Sequence, residues 1–234
     1  MPDPRKYHFK LPLGERPSEI ILQDPWYPGV ESFWSNCTTK RTGHPIMDIV
    51  AVVVHATAGS SSEGAVSVMK LPPKKAASFH WLVPDEDEPQ HAHLVWACVP
   101  ESLAAWHVRN AASHADVNAG ATRVNHWSLG IEVVNLQKTS DAFSDWQLEA
   151  TARIVRYCWA KYPNLVDVVS HAKLDPTRRS DPGVNFNWDR FKDLVLDSPA
   201  ESVPQLVAQA KPLGQIPSDP AASRCCHVDA AAEA

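Results

Sequence analysis

Residues 49–57 (IVAVVVHAT) form a continuous apolar run rich in β-branched side chains, the pattern of a central strand buried on both faces, with His55 at its C-terminal end. Residues 61–70 read as a short helix closed by Pro72 and Pro73. A second strand follows at 78–84 (SFHWLVP), stopped by the acidic turn DEDEP; a third spans 91–99 (HAHLVWACV), and a fourth, 127–135 (WSLGIEVVN), carries Glu132. The clearest helix covers 144–161, where Ser144 and Gln147 make a capping box and Leu148, Ala152, Val155 and Trp159 fall on one stripe. The run 166–170 (VDVVS) is a buried strand leading straight into His171, and a last helix begins after Asn187 as N-cap and contains Trp188, Phe191, Leu194 and Val195. Strands and helices alternate, which predicts an α/β layered domain.

Composition adds boundaries to this picture. A chain of 234 residues with 44% hydrophobic and 21% charged positions can bury a core, so one domain with terminal extensions is expected. Residues 1–46 are rich in Pro, charge and aromatics and read as an extended arm laid over the domain surface with little regular structure. The body runs over 47–197. Residues 198–234 are too rich in Pro, Ala and short polar residues to offset chain entropy, and are expected to be flexible apart from one short helix at 203–210. A net charge of −5 offers no footprint for nucleic acid or an anionic membrane. The first ten residues lack the apolar stretch of a secretory signal, and no run approaches the ~20 apolar residues of a membrane span. Cys37, Cys98, Cys158, Cys225 and Cys226 suggest neither a disulfide framework nor a zinc ribbon, in keeping with a reducing compartment. A soluble cytoplasmic protein is the expectation.

The candidate chemistry lies at strand ends, where open α/β sheets gather functional residues. His55, His171 and Asp181 are three ligand-type residues of the kind that hold a catalytic zinc ion while leaving a fourth position for water. Glu132 would accept the water proton and pass it to the leaving amine, provided its side of the pleat faces the metal; Arg179 would stabilise the oxyanion. Each residue alone has a plainer reading: a hydrogen-bonded histidine, an edge glutamate, a solvated basic loop at Arg178 and Arg179, a turn at Asp181 before Pro182 and Gly183. Together they favour a site. His91 and His93 share a strand face but lack a third ligand and read as exposed, and His80 reads as part of the core or cleft wall. Trp96, Trp146, Trp159 and Trp188 are explained by core packing.

Five segments in order across roughly residues 47–196 carry a resemblance: VVVHATAG, AASFHWLVP, AAWH at 104–107, NHWSLGIEVVN and HAKLDPTRRSDPG. The chain resembles the zinc-dependent type-2 N-acetylmuramoyl-L-alanine amidases, a family that includes phage endolysins, bacterial muropeptide-recycling amidases and animal peptidoglycan-recognition proteins. The resemblance implies a single domain with a central mixed β-sheet flanked by helices, and one Zn2+ held by His55, His171 and Asp181. It also implies Glu132 and Arg179 as the catalytic pair, and Trp106 and His107 on the substrate side. The implied reaction is hydrolysis of the amide between N-acetylmuramic acid and L-alanine, with peptidoglycan or a muropeptide as partner and a monomer as the expected state. An endolysin would reach the wall through holin lesions. Two other readings stay open: a peptidoglycan-binding module without catalysis, and a zinc hydrolase of the same fold cutting a peptide bond. This chain departs from the family pattern at Arg179, where cleaving members often carry Lys, and at Val108 and Arg109, where a small residue and Gly are usual. Residues 110–125 do not align with it.

Overall fold

The computed structural model describes residues 2–17, 31–32, 35, 37–89 and 93–197. In chain order its strands are β1 (His8–Lys10), β2 (Glu31–Ser32), β3 (Thr38–Lys40), β4 (Ala51–Ala56), β5 (Trp81–Val83), β6 (Trp96–Ala97), β7 (Leu103–Ala105), β8 (Ser128–Val133) and β9 (Asp167–Ser170). The α-helices are α1 (Ser62–Met69), α2 (Asp145–Lys161), α3 (His171–Leu174) and α4 (Trp188–Leu196). Seven strands form one sheet in the order β1-β9-β4-β8-β5-β6-β2, and β3 pairs with β7 in a second. β9, β4, β8 and β5 run parallel, while β1 is antiparallel to β9 and β6 is antiparallel to β5. The central mixed sheet flanked by helices is the architecture that the sequence predicts.

All six residues of β4 are buried, as a central parallel strand requires. Alternation then divides its side chains. Val52 and Val54 join Leu129, Ile131 and Val133 in a core completed by Leu148, Ile154 and Val155 of α2 and Phe191 and Val195 of α4. Ala51 and Val53 pack on the other face with Val108, Val124, Val169 and Leu174, and His55 continues that face toward the strand end. The predicted capping box is present at α2, where the Ser144 hydroxyl accepts from the Gln147 backbone and Gln147 reaches back to the Ser144 N–H. Asn187 caps α4 by accepting from the Arg190 N–H.

Two expectations change. The strand expected over 91–99 contracts to Trp96–Ala97, because His93 adopts a left-handed backbone (φ 61°) that a strand cannot follow; His91 lies outside the described residues. The first 46 residues, expected to hold little regular structure, supply β1 and β2 to the main sheet and β3 to the small one. The signal for β1 is the alternation of buried Tyr7, Phe9 and Leu11. The tail at 198–234, with the short helix expected at 203–210, lies outside the described residues.

Candidate metal centre

Three adjacent parallel strands end together, and residues at or just past their C-terminal ends carry the site. Register places His55 of β4 directly opposite Glu132 of β8, so both side chains leave the same face of the sheet. β4 pairs Val54 with Ser170 of β9, and His171 follows one residue later. There the chain turns from strand into helix, with the Ser170 hydroxyl accepting from the Lys173 N–H as an N-cap. The chain then returns to this end of the sheet, where the Ala172 N–H donates to the Asp181 carbonyl at 3.0 Å and holds Asp181 beside the start of α3.

The result is a triangle of potential ligand atoms. The Nδ1 atoms of His55 and His171 lie 3.0 Å apart, and they sit 3.1 and 3.0 Å respectively from Asp181 Oδ2. Two imidazole N–H groups aimed at one oxygen would leave their nitrogens in mutual contact with no acceptor between them. Three lone pairs converging on one cation satisfy all three atoms. Ligands held ~2.0–2.1 Å from a tetrahedral zinc ion lie ~3.3 Å from one another, close to the spacing here. All three residues are buried, and among the described residues they are the one group of His, Cys, Asp or Glu placed to hold a metal ion. The protonation states of His55 and Asp181 suit that role. Burial, and then the neighbouring His171, pushes the His55 pKa down to about 4. For Asp181 burial acts upward, yet its contacts with the His171 and His55 rings hold its carboxyl well below the usual carboxylate range.

Glu132 is the one partly open residue in an otherwise buried strand. Burial, and then the negative charge of Asp181, raises its pKa well above the ordinary value, with Arg179 opposing. No hydrogen bond holds its carboxylate among the described residues. Arg179 is exposed, and its charge is felt at both Glu132 and His55.

The two remaining predicted residues take other places. His107 is buried behind His55, with Nδ1 2.9 Å from His55 Nε2 and Nε2 3.3 Å from Ser128 Oγ. Both ring nitrogens of His107, expected on the substrate side, are committed inside the protein, one against a metal-ligand candidate and one against Ser128. Gly130 makes room for it, since a Cβ there would lie 2.7 Å from His107 Cγ. Burial, and then His55, drives the His107 pKa well below its ordinary value. Trp106 is partly exposed, but its indole N–H is committed to Thr39 Oγ1 of β3 at 2.7 Å. His80 is a core residue, its Nδ1 accepting from the Gly130 N–H at 2.9 Å. His93 is exposed and meets the Trp146 ring edge-on.

Three supporting residues escape a sequence reading. Asn125 clamps the chain at His107, its Oδ1 accepting from the His107 and Val108 N–H groups and its Nδ2 donating to the Val108 carbonyl. Arg109 makes a two-pronged pair with buried Asp175, Nε to Oδ2 at 2.7 Å and Nη2 to Oδ1 at 3.0 Å. Gln137, in a left-handed backbone conformation (φ 56°), donates to the Ala56 carbonyl and accepts from the Ser180 hydroxyl, linking the neighbours of two metal-ligand candidates. Only Arg109 gave a signal, as a charge where a glycine is usual.

The class defined by this fold and site is an α/β protein with a candidate His-His-Asp metal centre, one such group among the described residues, beside a glutamate on the neighbouring strand. The chain belongs to the Amidase_2 family, N-acetylmuramoyl-L-alanine amidase, whose family model matches residues 45–184. It is 32% identical over 154 residues to the N-acetylmuramoyl-L-alanine amidase AmiD of Escherichia coli (strain K12), covering 61% of this chain and 52% of AmiD. It is 35% identical over 100 residues to the 1,6-anhydro-N-acetylmuramyl-L-alanine amidase AmpD of Salmonella typhimurium (strain LT2), covering 42% of this chain and 49% of AmpD. The chain thus spans about half the length of these curated relatives. Among solved structures, a selenomethionine derivative of AmpD superposes with a TM-score of 0.58 at 23% identity, over 75% of this chain and 99% of that one. AMPDH3 of Pseudomonas aeruginosa, in complex with anhydromuramic pentapeptide, gives 0.54 at 24% identity over 67% and 64%. At these identities the superpositions establish a shared fold.

Proposed function

We propose that this chain is a zinc-dependent amidase that hydrolyses the bond between N-acetylmuramic acid and the L-alanine of a peptidoglycan stem peptide. The observation that carries this reading is the β4–β8 register, which sets Glu132 beside the His55, His171 and Asp181 triangle. Family membership and the activities named for AmiD and AmpD support the choice of bond. His55 and His171 through Nδ1 and Asp181 through Oδ2 would hold the ion. Zinc bound by three protein ligands supplies Lewis acidity, lowering the pKa of a coordinated water toward ~7 and polarising a carbonyl.

The remaining chemistry belongs to the chain. Glu132 takes a proton from water as the new oxygen–carbon bond forms at the amide carbonyl, and delivers it to the amide nitrogen as the carbon–nitrogen bond breaks. A raised pKa makes it a stronger base than an ordinary carboxylate. Arg179 offsets the charge that develops on the carbonyl oxygen; its guanidinium never becomes neutral and so shuttles no proton. The products are a muramic acid with a free lactyl carboxylate and a peptide with an L-alanine amino terminus.

The test is digestion of soluble anhydromuropeptide and of intact sacculi by wild type and Glu132→Ala, read by mass spectrometry with zinc content measured in parallel. Wild type should release intact stem peptides, while Glu132→Ala keeps zinc and turns over about 10²- to 10⁴-fold more slowly. Equal turnover by the two proteins removes Glu132 as the base. Cleavage within the stem peptide identifies a peptidase of the same fold, and binding without cleavage identifies a recognition module. Preference for sacculi marks a lytic enzyme, and preference for the soluble fragment marks a recycling one.

A further inference from the structure

We infer that His107 is a positioning residue that fixes the tautomer of His55 through a directed chain of hydrogen bonds ending on the backbone, and so prepares Nδ1 of His55 to bind the metal. The inference rests on the zinc reading above and adds to it a residue that neither donates to the metal nor touches substrate.

The direction of the chain follows from its far end. The Ser128 hydroxyl lies 2.7 Å from the Val124 carbonyl, which can only accept, so the hydroxyl hydrogen is spent there. Ser128 Oγ is then free to accept, and the group facing it at 3.3 Å is His107 Nε2, which must carry a hydrogen for the contact to be favourable. A neutral imidazole protonated at Nε2 presents a lone pair at Nδ1. That lone pair faces His55 Nε2 at 2.9 Å, which therefore donates. His55 is left with its own lone pair at Nδ1, the atom pointing toward His171 and Asp181. The opposite direction would set the His107 Nε2 lone pair against an oxygen that has no hydrogen left to give.

The two histidines of the centre are thereby unequal. His55 has a buried acceptor behind it, while His171 Nε2 is buried with no hydrogen-bond partner among the described residues. An outer partner that fixes ring orientation and raises ligand basicity commonly changes metal affinity by about 10- to 100-fold. Gly130 is what permits the arrangement, because any side chain there would displace the His107 ring.

The test reads tautomers and zinc affinity, not turnover. Long-range proton–nitrogen correlation spectra of wild type labelled with nitrogen-15, zinc-free and zinc-loaded, should show His55 and His107 both protonated at Nε2. Zinc affinity, from competition with a chromophoric chelator, should weaken about 10- to 100-fold in His107→Phe, which keeps ring volume but offers no acceptor. His107→Asn, whose side-chain carbonyl falls near the position of Nδ1, should recover most of that loss. Ser128→Ala, a smaller change, should mix the tautomers of His107. The inference is overturned by His55 protonated at Nδ1 in zinc-free wild type, or by His107→Phe binding zinc as tightly as wild type. If wild type takes up no zinc, the amidase reading fails, while the tautomer in the metal-free protein still decides whether the chain of bonds is directed.

Discussion

Glu132 must be ionised to act as a base, and its surroundings disfavour that state. Burial and Asp181 push its pKa well above the ordinary value, and the Arg179 charge opposes them. The two roles open to Arg179, offsetting the oxyanion and tuning Glu132, predict different pH profiles. A base works only after losing its proton, so kcat/KM should rise with pH through a limb set by Glu132. Replacing Arg179 with Ala removes a charge that favours the ionised form, so the limb should move to higher pH. Arg179→Lys should leave it nearly in place. A limb that stays put in Arg179→Ala, with only the plateau reduced, would confine Arg179 to the oxyanion. His171→Ala should differ in kind from Glu132→Ala, losing zinc as well as turnover, because it removes a corner of the ligand triangle.

At the scale of elements, the ligand loop between α3 and α4 is held from two sides. Arg109 grips Asp175, whose backbone N–H in turn donates to the His171 carbonyl and whose carbonyl accepts from the Arg178 and Arg179 N–H groups. On the other side Gln137 meets Ser180, and Asn185 donates to the carbonyls of Lys138 and Asp141. Arg109→Ala should leave the buried Asp175 carboxylate without its two donors, costing about 1–3 kcal/mol. Arg109→Lys should recover only part of this, since an ammonium cannot reproduce the fork. Urea unfolding of the metal-free proteins measures it, and an unchanged midpoint in Arg109→Ala would show that the pair is not stabilising. The sequence pattern made the long elements legible, because β4 is unbroken in its apolar character and α2 carries its own cap. It left β1, β2, β3 and β7 unread: β2, β3 and β7 are two or three residues long with no longer apolar run around them, and the alternation of Tyr7, Phe9 and Leu11 at β1 lies in a segment dominated by Pro and charge. The candidate ligands were legible from residue type and strand ends, but Glu132 was conditional on a register between strands about 75 residues apart. The AAWH motif singled out His107 without saying which way its ring faces, and that direction depends on Gly130 and Ser128 across the sheet.

For the whole molecule, the amino-terminal segment is part of the frame that presents His171. Without β1, β9 would be an edge strand, and β9 is the strand that leads into His171 of the candidate metal site. Ser170 is gripped directly, its N–H donating to the Tyr7 carbonyl and its hydroxyl to the Pro4 carbonyl. Tyr7 stacks on Trp188 at 4.9 Å, and Phe9 meets Trp188 and Phe191 edge-on. Deleting residues 1–11 should therefore weaken both stability and zinc binding, although none of the described residues among them belongs to the candidate ligand triangle. Charge makes this seam sensitive to pH. Burial alone would raise the pKa of Asp167, yet hydrogen bonds from His8 and Lys10 outweigh it and hold the carboxyl below its ordinary value. A carboxyl whose pKa is lower folded than unfolded contributes stability that is fully present above the unfolded value of ~3.9 and is lost as pH falls through the folded one. Asp167→Asn should accordingly be less stable than wild type at neutral pH, with the difference closing as the solution is acidified below that range. Urea midpoints at neutral and acidic pH measure the gap, and a gap of constant size would show that packing at this seam, rather than the ionised carboxylate, holds β1 on the sheet.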